Sequence, residues 1–331
     1  MNAPAEVSSQ WQRMSQSNAL IGFIDVTLRG CAQVMFQNNP LTGLIFFIAI
    51  FWAAYGEGNP AAAYGCVLGT VVATLTGLGL PDRTSWRAGL YGYNGCLVGV
   101  ALPTFLAMTP LVWGCIVLGS IVSVIATVCI ADVLKTWKIA ALTAPFVLTT
   151  WVILLGSYMF SGLHGTGLST PKLPVAVSVE TAETLFNASL FTALFQGISQ
   201  VYLFSSVIAG VLFIIGLAVS SLWAAVFALV GSLLAMVTAS ILSADNSDIT
   251  SGLYSFSAVL TAIALGSTFN KPSWRILAYT LVGIVFTVFV QGAMNALMLP
   301  IGIPTLTMPF VLASWLFLVP NQDVMPAHRQ V

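Results

Sequence analysis

Of 331 residues, 58% are hydrophobic and 6% charged, with a mean hydropathy of +0.97, too little charge to clothe the surface of a soluble domain. Ten Lys and Arg balance ten Asp and Glu, which excludes a basic face for nucleic acid and an acidic one for cations. The composition instead describes an all-α polytopic protein whose core is a membrane domain.

In chain order, Met1 to Asn18 is polar and lacks the hydrophobic region of a cleavable leader, so the first spans are expected to act as the insertion signal. Apolar runs follow at Leu20–Phe36, Leu41–Tyr55, Ala61–Leu80, Gly89–Leu106, Leu111–Ile130 and Ala140–Met159. A polar, Pro-containing stretch, Ser161–Glu183, separates them from a second series: Thr184–Gln196, Val201–Leu222, Trp223–Leu242, Gly252–Leu265, Ile276–Leu299 and Leu306–Val319. At roughly 20 apolar residues per span, about ten spans are expected, about five in each half. Several runs are too short to cross comfortably, and short Gly- or Pro-interrupted segments at corresponding places in two halves point to re-entrant or broken helices around a binding site. The expected division is a first half over 1–160, a polar link over 161–183 and a second half over 184–331. All five cysteines lie in the first half without CxxC spacing, and are read as packing residues rather than metal ligands or disulfides.

The two series are related residue by residue. Leu142-Thr143-Ala144-Pro145-Phe146-Val147-Leu148-Thr149-Thr150-Trp151 returns as Leu306-Thr307-Met308-Pro309-Phe310-Val311-Leu312-Ala313-Ser314-Trp315, with seven of ten positions identical at a shift of 164. Gly89-Leu90-Tyr91-Gly92-Tyr93 matches Gly252-Leu253-Tyr254-Ser255-Phe256 at a shift of 163, with Leu97 on Leu260 and Asp82 on Asp245. Gln33-Val34 with Gly43 matches Gln200-Val201 with Gly210 at a shift of 167. Three colinear matches at nearly one shift imply duplication. With an odd number of spans in each half, the halves insert upside-down relative to one another, which puts a site near mid-membrane at their interface.

Ile303-Pro304-Thr305-Leu306-Thr307-Met308-Pro309-Phe310 resembles the urea transporter signature Leu-Pro-x-x-Thr-x-Pro-Phe, with Ile for the first Leu. Its first-half counterpart, Ile139 to Phe146, keeps Thr-x-Pro-Phe but lacks the first Pro. Arg29-Gly30, Gln33 to Phe36, Asn38-Asn39-Pro40 and Gly89 to Gly95 are further likenesses, and together they cover about Ile21 to Pro320. The resemblance implies passive, channel-like urea transport by a homotrimer with one pore per protomer, each pore lined by two pairs of tilted half-helices. It also implies roles for residues. Phe36 with Phe256, and Tyr93 with Leu203, would form slots at the two ends, and Leu97 and Leu260 would pinch the middle. Gln33 and Gln200 would accept hydrogen bonds near the mouths, beside Val34 and Val201, and Thr143 and Thr307 would do so at the centre. The family usually carries Phe where this chain has Tyr93 and Leu203.

These groups suit a flat, uncharged solute rich in N–H: apolar pairs set the width, and a line of oxygens accepts its hydrogens in turn. Pro145 and Pro309, two residues after each Thr, are expected to interrupt a helix and free carbonyls there. Competing functions find less support in the residues. An ammonium-type channel wants paired intramembrane histidines, but the two are His164 in the link and His328 in the tail. An ion-coupled transporter wants carboxylates within spans. Glu57, Asp82, Asp132, Asp245 and Asp248 sit beside loop-like residues instead, and Asp25 forms an i, i+4 pair with Arg29, read as structural and interfacial. The path is therefore expected to hold no titratable group. No catalytic or metal-binding spacing appears, so neither an enzyme nor a cofactor is expected. Asn187-Ala188-Ser189 fits a glycosylation acceptor but lies in an apolar run. Lipid is the expected surroundings, and the compact length suggests a bacterial inner membrane.

Overall fold

The computed structural model describes residues 5–175 and 189–321, so Asn187, Ala188 and His328 lie outside the described residues. The described residues form fifteen α-helices joined by short 3₁₀ or π turns, with no strand among them. An amphipathic helix α1 (Ala5–Ser17) leads into α2 (Ala19–Ala32), α3 (Pro40–Gly56), α4 (Pro60–Leu78), the short α5 (Arg83–Arg87), α6 (Gly92–Phe105), α7 (Pro110–Leu134) and α8 (Ala144–Gly156). The second series is α9 (Ser189–Ser199), α10 (Val207–Ser220), α11 (Leu222–Ile241), the short α12 (Asn246–Thr250), α13 (Phe256–Ile263), α14 (Trp274–Met298) and α15 (Met308–Leu318).

Local sequence dictates where these helices begin. Asn39-Pro40 starts α3: Asn39 is extended, its side chain accepts from the Leu41 amide, and Pro40 fills the first turn, where no amide is needed. Thr109-Pro110 starts α7 in the same way. Ser206, Ser221 and Ser273 cap α10, α11 and α14.

Among the described residues, four helices are long and apolar enough to cross a membrane: Pro60–Leu78, Pro110–Trp137, Leu222–Ile241 and Trp274–Ile301. Two further pairs pass only together, each bent by 73°: Ala19–Met35 with Pro40–Gly56, and Leu190–Tyr202 with Val207–Ser220. The protein is thus an all-α polytopic membrane protein; among the described residues four helices reach spanning length alone, or six with each bent pair taken as one, whereas about ten apolar runs are expected to span. The difference lies in runs such as those of α8 and α15, which build only half-length helices of 13 and 11 residues.

The duplication extends to the backbone. Left-handed conformations, rare outside glycine, recur in register: Phe36 (φ 63°) with Leu203 (64°), Lys138 (52°) with Gly302 (65°), Leu142 (53°) with Leu306 (50°), and Gly89 (78°) with Gly252 (84°). Phe36 and Leu203 each close a 3₁₀ turn and cause the 73° bends.

Contacts between the two series are reciprocal. Trp151 Nε1 donates to the Pro304 carbonyl at 2.8 Å, and the equivalent Trp315 Nε1 donates to the equivalent Ala140 carbonyl at 3.0 Å. Phe46 meets its own equivalent, Phe213, edge to face at 5.1 Å. Thr143 meets its equivalent, Thr307. Paired reciprocal contacts and self-contacts of equivalent residues are the pattern of a pseudo-two-fold axis, here running past Phe46/Phe213 and Thr143/Thr307.

Close helix approach depends on small residues, as is usual where lipid provides no hydrophobic drive. A Cβ on Gly43 would lie 1.8 Å from the Leu28 carbonyl oxygen, and one on the equivalent Gly210 would lie 2.1 Å from that of Phe195. Both glycines hold a bent pair closed. Gly43→Ala or Gly210→Ala should therefore lower the thermal unfolding midpoint in detergent and the folded yield, whereas Gly114→Ala, which meets nothing within 4 Å, should not; equal midpoints for all three variants would refute this role.

Candidate functional site

Every apolar side chain that the sequence nominates falls in one contiguous cluster. Val34, Leu97, Val201, Phe256 and Leu260 are buried in it, and Phe36, Tyr93 and Leu203 pack half-buried against it. Leu97 and Leu260 have no exposed surface at all. The Phe36 ring meets Phe269 and Phe310 edge-on, at 5.8 and 6.0 Å.

A cavity of about 420 Å³ opens beside this cluster, and Gln200, Leu203, Phe256, Thr305 and Leu306 line it. Asp248 lines it too. Folding α12 carries it to the cavity from a loop-like stretch of sequence, a carboxylate beside Gln200 and Phe256 that the sequence reading left out of the site.

At the centre, Thr143 Oγ1 and Thr307 Oγ1 lie 2.6 Å apart, both buried. Threonines elsewhere in these helices, including Thr70, Thr104, Thr238 and Thr287, donate to the carbonyl four residues back. Thr143 and Thr307 cannot, because each stands at the N-cap position of its half-helix and is preceded by a leucine in the left-handed region. That conformation costs roughly 1 to 2 kcal/mol for a residue with a Cβ, and it is held in both series at the residue before the Thr. Strain repeated at equivalent positions marks a functional candidate.

The prolines act differently from the expectation drawn from their spacing. Pro145 and Pro309 sit in the first turn of α8 and α15, where the missing amide costs nothing. They start helices rather than interrupting them. Two helix N-termini, with their partial positive charge, thus converge on the threonine pair.

The glutamines are equally well fixed. Gln33 Nε2 donates to the Ala88 carbonyl at 2.8 Å, and Gln200 Nε2 donates to the equivalent Ser251 carbonyl at 3.2 Å and to Ser205 Oγ at 2.6 Å. A carbonyl can only accept, so these bonds fix which amide atom is nitrogen. Among the described residues, neither Oε1 has a hydrogen-bond donor. The short helices carrying those carbonyls are capped by Asp82 and Asp245, which accept from backbone amides two residues on. Ser85 holds the Asp82 carboxyl below its ordinary range, and Ser247 does the same for Asp245.

Several groups here were not singled out from the sequence. Asn94, inside the Gly89 to Gly95 motif, accepts from the Phe146 amide at 3.2 Å and so aligns the start of α8. Gln291 bridges Thr305, Asn295 and Ser257, joining α13 and α14 to the loop before α15. Cys31, Cys66 and Cys96, with no telling spacing, converge with their sulfurs within 4.8 Å of one another, all buried. The Asp25–Arg29 pair is present at 2.6 Å, with Trp11 Nε1 on Asp25 and Asn38 accepting from Arg29.

A polytopic α-helical membrane protein with two half-helices meeting at a threonine pair, and oxygens set among apolar side chains, belongs to the class of transporters and channels for small solutes. The family model for the urea transporter matches residues 24–322. Urea transporter 1 of Ovis aries is 31% identical over 316 residues, covering 93% of this chain and 80% of the relative. Urea transporter 1 of Mus musculus is 32% identical over 320 residues, covering 94% and 81%. The chain belongs to the urea transporter family.

Asp248 offers a pH test. Burial, then the nearby Asp245 charge, push its carboxyl above the ordinary value. A carboxylate whose folded-state pKa is raised penalises folding above that pKa, and the penalty vanishes below its unfolded value. Asp248→Asn should therefore raise the unfolding midpoint at pH 7 and leave it unchanged near pH 3; equal gains at both pH values would contradict the assignment.

Proposed function

We propose that the chain passes urea down its gradient through a narrow path in each protomer, with the Thr143–Thr307 pair at its centre. The observation that carries this reading is that pair: two equivalent hydroxyls, 2.6 Å apart, each at the N-cap of its half-helix with no bond to it and each preceded by a left-handed leucine. Hydroxyls so placed can exchange their mutual bond for bonds to a passing solute.

Urea is flat and uncharged, with four N–H bonds and one carbonyl, and leaves water only if those bonds are replaced. Each N–H left unpaired costs roughly 1 to 3 kcal/mol. On this reading Gln33 and Gln200 Oε1 receive its hydrogens at the two mouths, beside Val34 and Val201, and the threonine hydroxyls receive them at the centre. Phe36 opposite Phe256, and Tyr93 opposite Leu203, set slots as thin as the molecule. Leu97 and Leu260 close the middle sideways. The positive N-termini of α8 and α15 at the centre oppose cations, so Asp248 at one cavity draws none through.

The supporting pattern of reciprocal contacts favours two inverted halves, over 1–160 and 184–331, joined by the polar link 161–183. A homotrimer in a bacterial inner membrane completes the proposal.

Two measurements in proteoliposomes test it. Urea uptake should be independent of pH and sodium gradients and carry no current; accumulation against the urea gradient driven by an ion would overturn passive flow. Thr143→Val or Thr307→Val keeps the shape and removes the acceptor, so urea flux should fall about tenfold, the consequence of one lost bond worth about 1.4 kcal/mol, while the protein still folds. Undiminished flux in both variants would remove the threonines from the path.

A further inference from the structure

The two halves of the path are matched at the glutamines and the threonines but differ in what bonds the carbonyl before each threonine: Asn94 Nδ2 reaches that of Leu142 at 3.5 Å, where Ser257 stands in the other half, and a phenol joins it on the first-half side alone. Tyr93 and Phe256 occupy equivalent positions 163 residues apart, at the starts of α6 and α13. Tyr93 Oη donates to the Leu142 carbonyl at 2.6 Å. Leu142 is the strained residue before Thr143, and its equivalent, Leu306, has the same left-handed backbone. Phe256 has no hydroxyl to give Leu306. The donor on the Leu306 carbonyl is the Thr305 hydroxyl at a long 3.5 Å, and Leu306 and Phe256 both line the open cavity.

We propose that the Tyr93 phenol oxygen replaces the Leu142 carbonyl as the acceptor on the first-half side of the path, so that a solute N–H meets a phenol there and the weakly bonded Leu306 carbonyl on the other side. The inference rests on the urea reading above. Its physical basis is the commitment of the phenol proton. A hydroxyl is ordinarily both donor and acceptor, but one whose hydrogen is held by a carbonyl at 2.6 Å offers the path lone pairs only. The oxygen then reads N–H and gives nothing to a carbonyl. Tyr93 also keeps some exposed surface on a stretch, residues 92–103, where its neighbours are all buried, as a group facing an internal opening must.

A purely bracing role for the hydroxyl, holding Leu142 in its strained turn, makes different predictions. Urea half-saturation would be measured by stopped-flow in proteoliposomes, alongside thermal unfolding, for the wild type, Tyr93→Phe, and protein with 3-fluorotyrosine placed at position 93. The fluorinated phenol is more acidic and nearly the same size, so it donates more strongly to Leu142 and accepts more weakly from the solute. Tyr93→Phe should raise the half-saturating urea concentration three- to tenfold. Fluorotyrosine should raise it about twofold with an unfolding midpoint no lower than that of the wild type. Half-saturation unchanged or lowered in the fluorotyrosine protein would overturn the inference, whatever the fate of Tyr93→Phe. A wild-type protein that passes no urea would instead sink the reading of the substrate.

Discussion

A backbone group left without a hydrogen-bond partner in hydrocarbon costs several kcal/mol, and most of this structure can be derived from that constraint. A chain that must place polar atoms at mid-membrane has to break helices there and then satisfy what the breaks expose. Here the breaks fall at the left-handed residues Phe36, Leu142, Leu203 and Leu306. What they expose is met by fixed partners: the Trp151 and Trp315 indoles take the Pro304 and Ala140 carbonyls, and Tyr93 takes that of Leu142. Three oxygens without a strong donor, Gln33 Oε1, Gln200 Oε1 and the Leu306 carbonyl, belong to residues of the proposed path.

Duplication halves the difficulty of the design. A strained turn, a proline-started half-helix and a tryptophan clasp are specified once and used twice, and the axis relating the copies brings each half's threonine against the other's. Glycine makes the approach possible: with Gly43 and Gly210 each lying against a carbonyl, helices pack at backbone distance and leave room for the path beside them rather than between bulky side chains.

Much of this was legible in the sequence, because a duplicated motif is read by comparison and not by propensity. The three registers at shifts of 163 to 167 anticipate the recurrence of elements, broken helices at corresponding places in the two series, and the grouping of Leu97, Phe256 and Leu260 in one cluster. What was not legible depends on direction and on distance along the chain. Hydropathy cannot tell a half-helix from a tilted span, so which apolar runs end as the short helices α8 and α15 was not legible. A proline two residues after a threonine reads equally as a breaker or as a second helical residue, and only the backbone of Leu142 and Leu306 decides for the latter. Asp248 reaches the cavity, and Cys31 reaches Cys66 and Cys96, through contacts between segments that no local pattern links.

The threonine pair has a consequence for directionality. In the proposed inverted arrangement, a solute entering from either side meets the same groups in the same order until it arrives at the axis, where Thr143 and Thr307 are interchangeable. Such a path has no intrinsic polarity. Any kinetic rectification must then originate where the copies differ, and in the slots they differ at two positions, Phe36 against Leu203 and Tyr93 against Phe256. Both exchanges alter the same pair of slots, and Asp248 against Ser85 and Thr305 against Ala141 add to the difference at the cavity, so the two entrances are chemically distinct although the centre is shared.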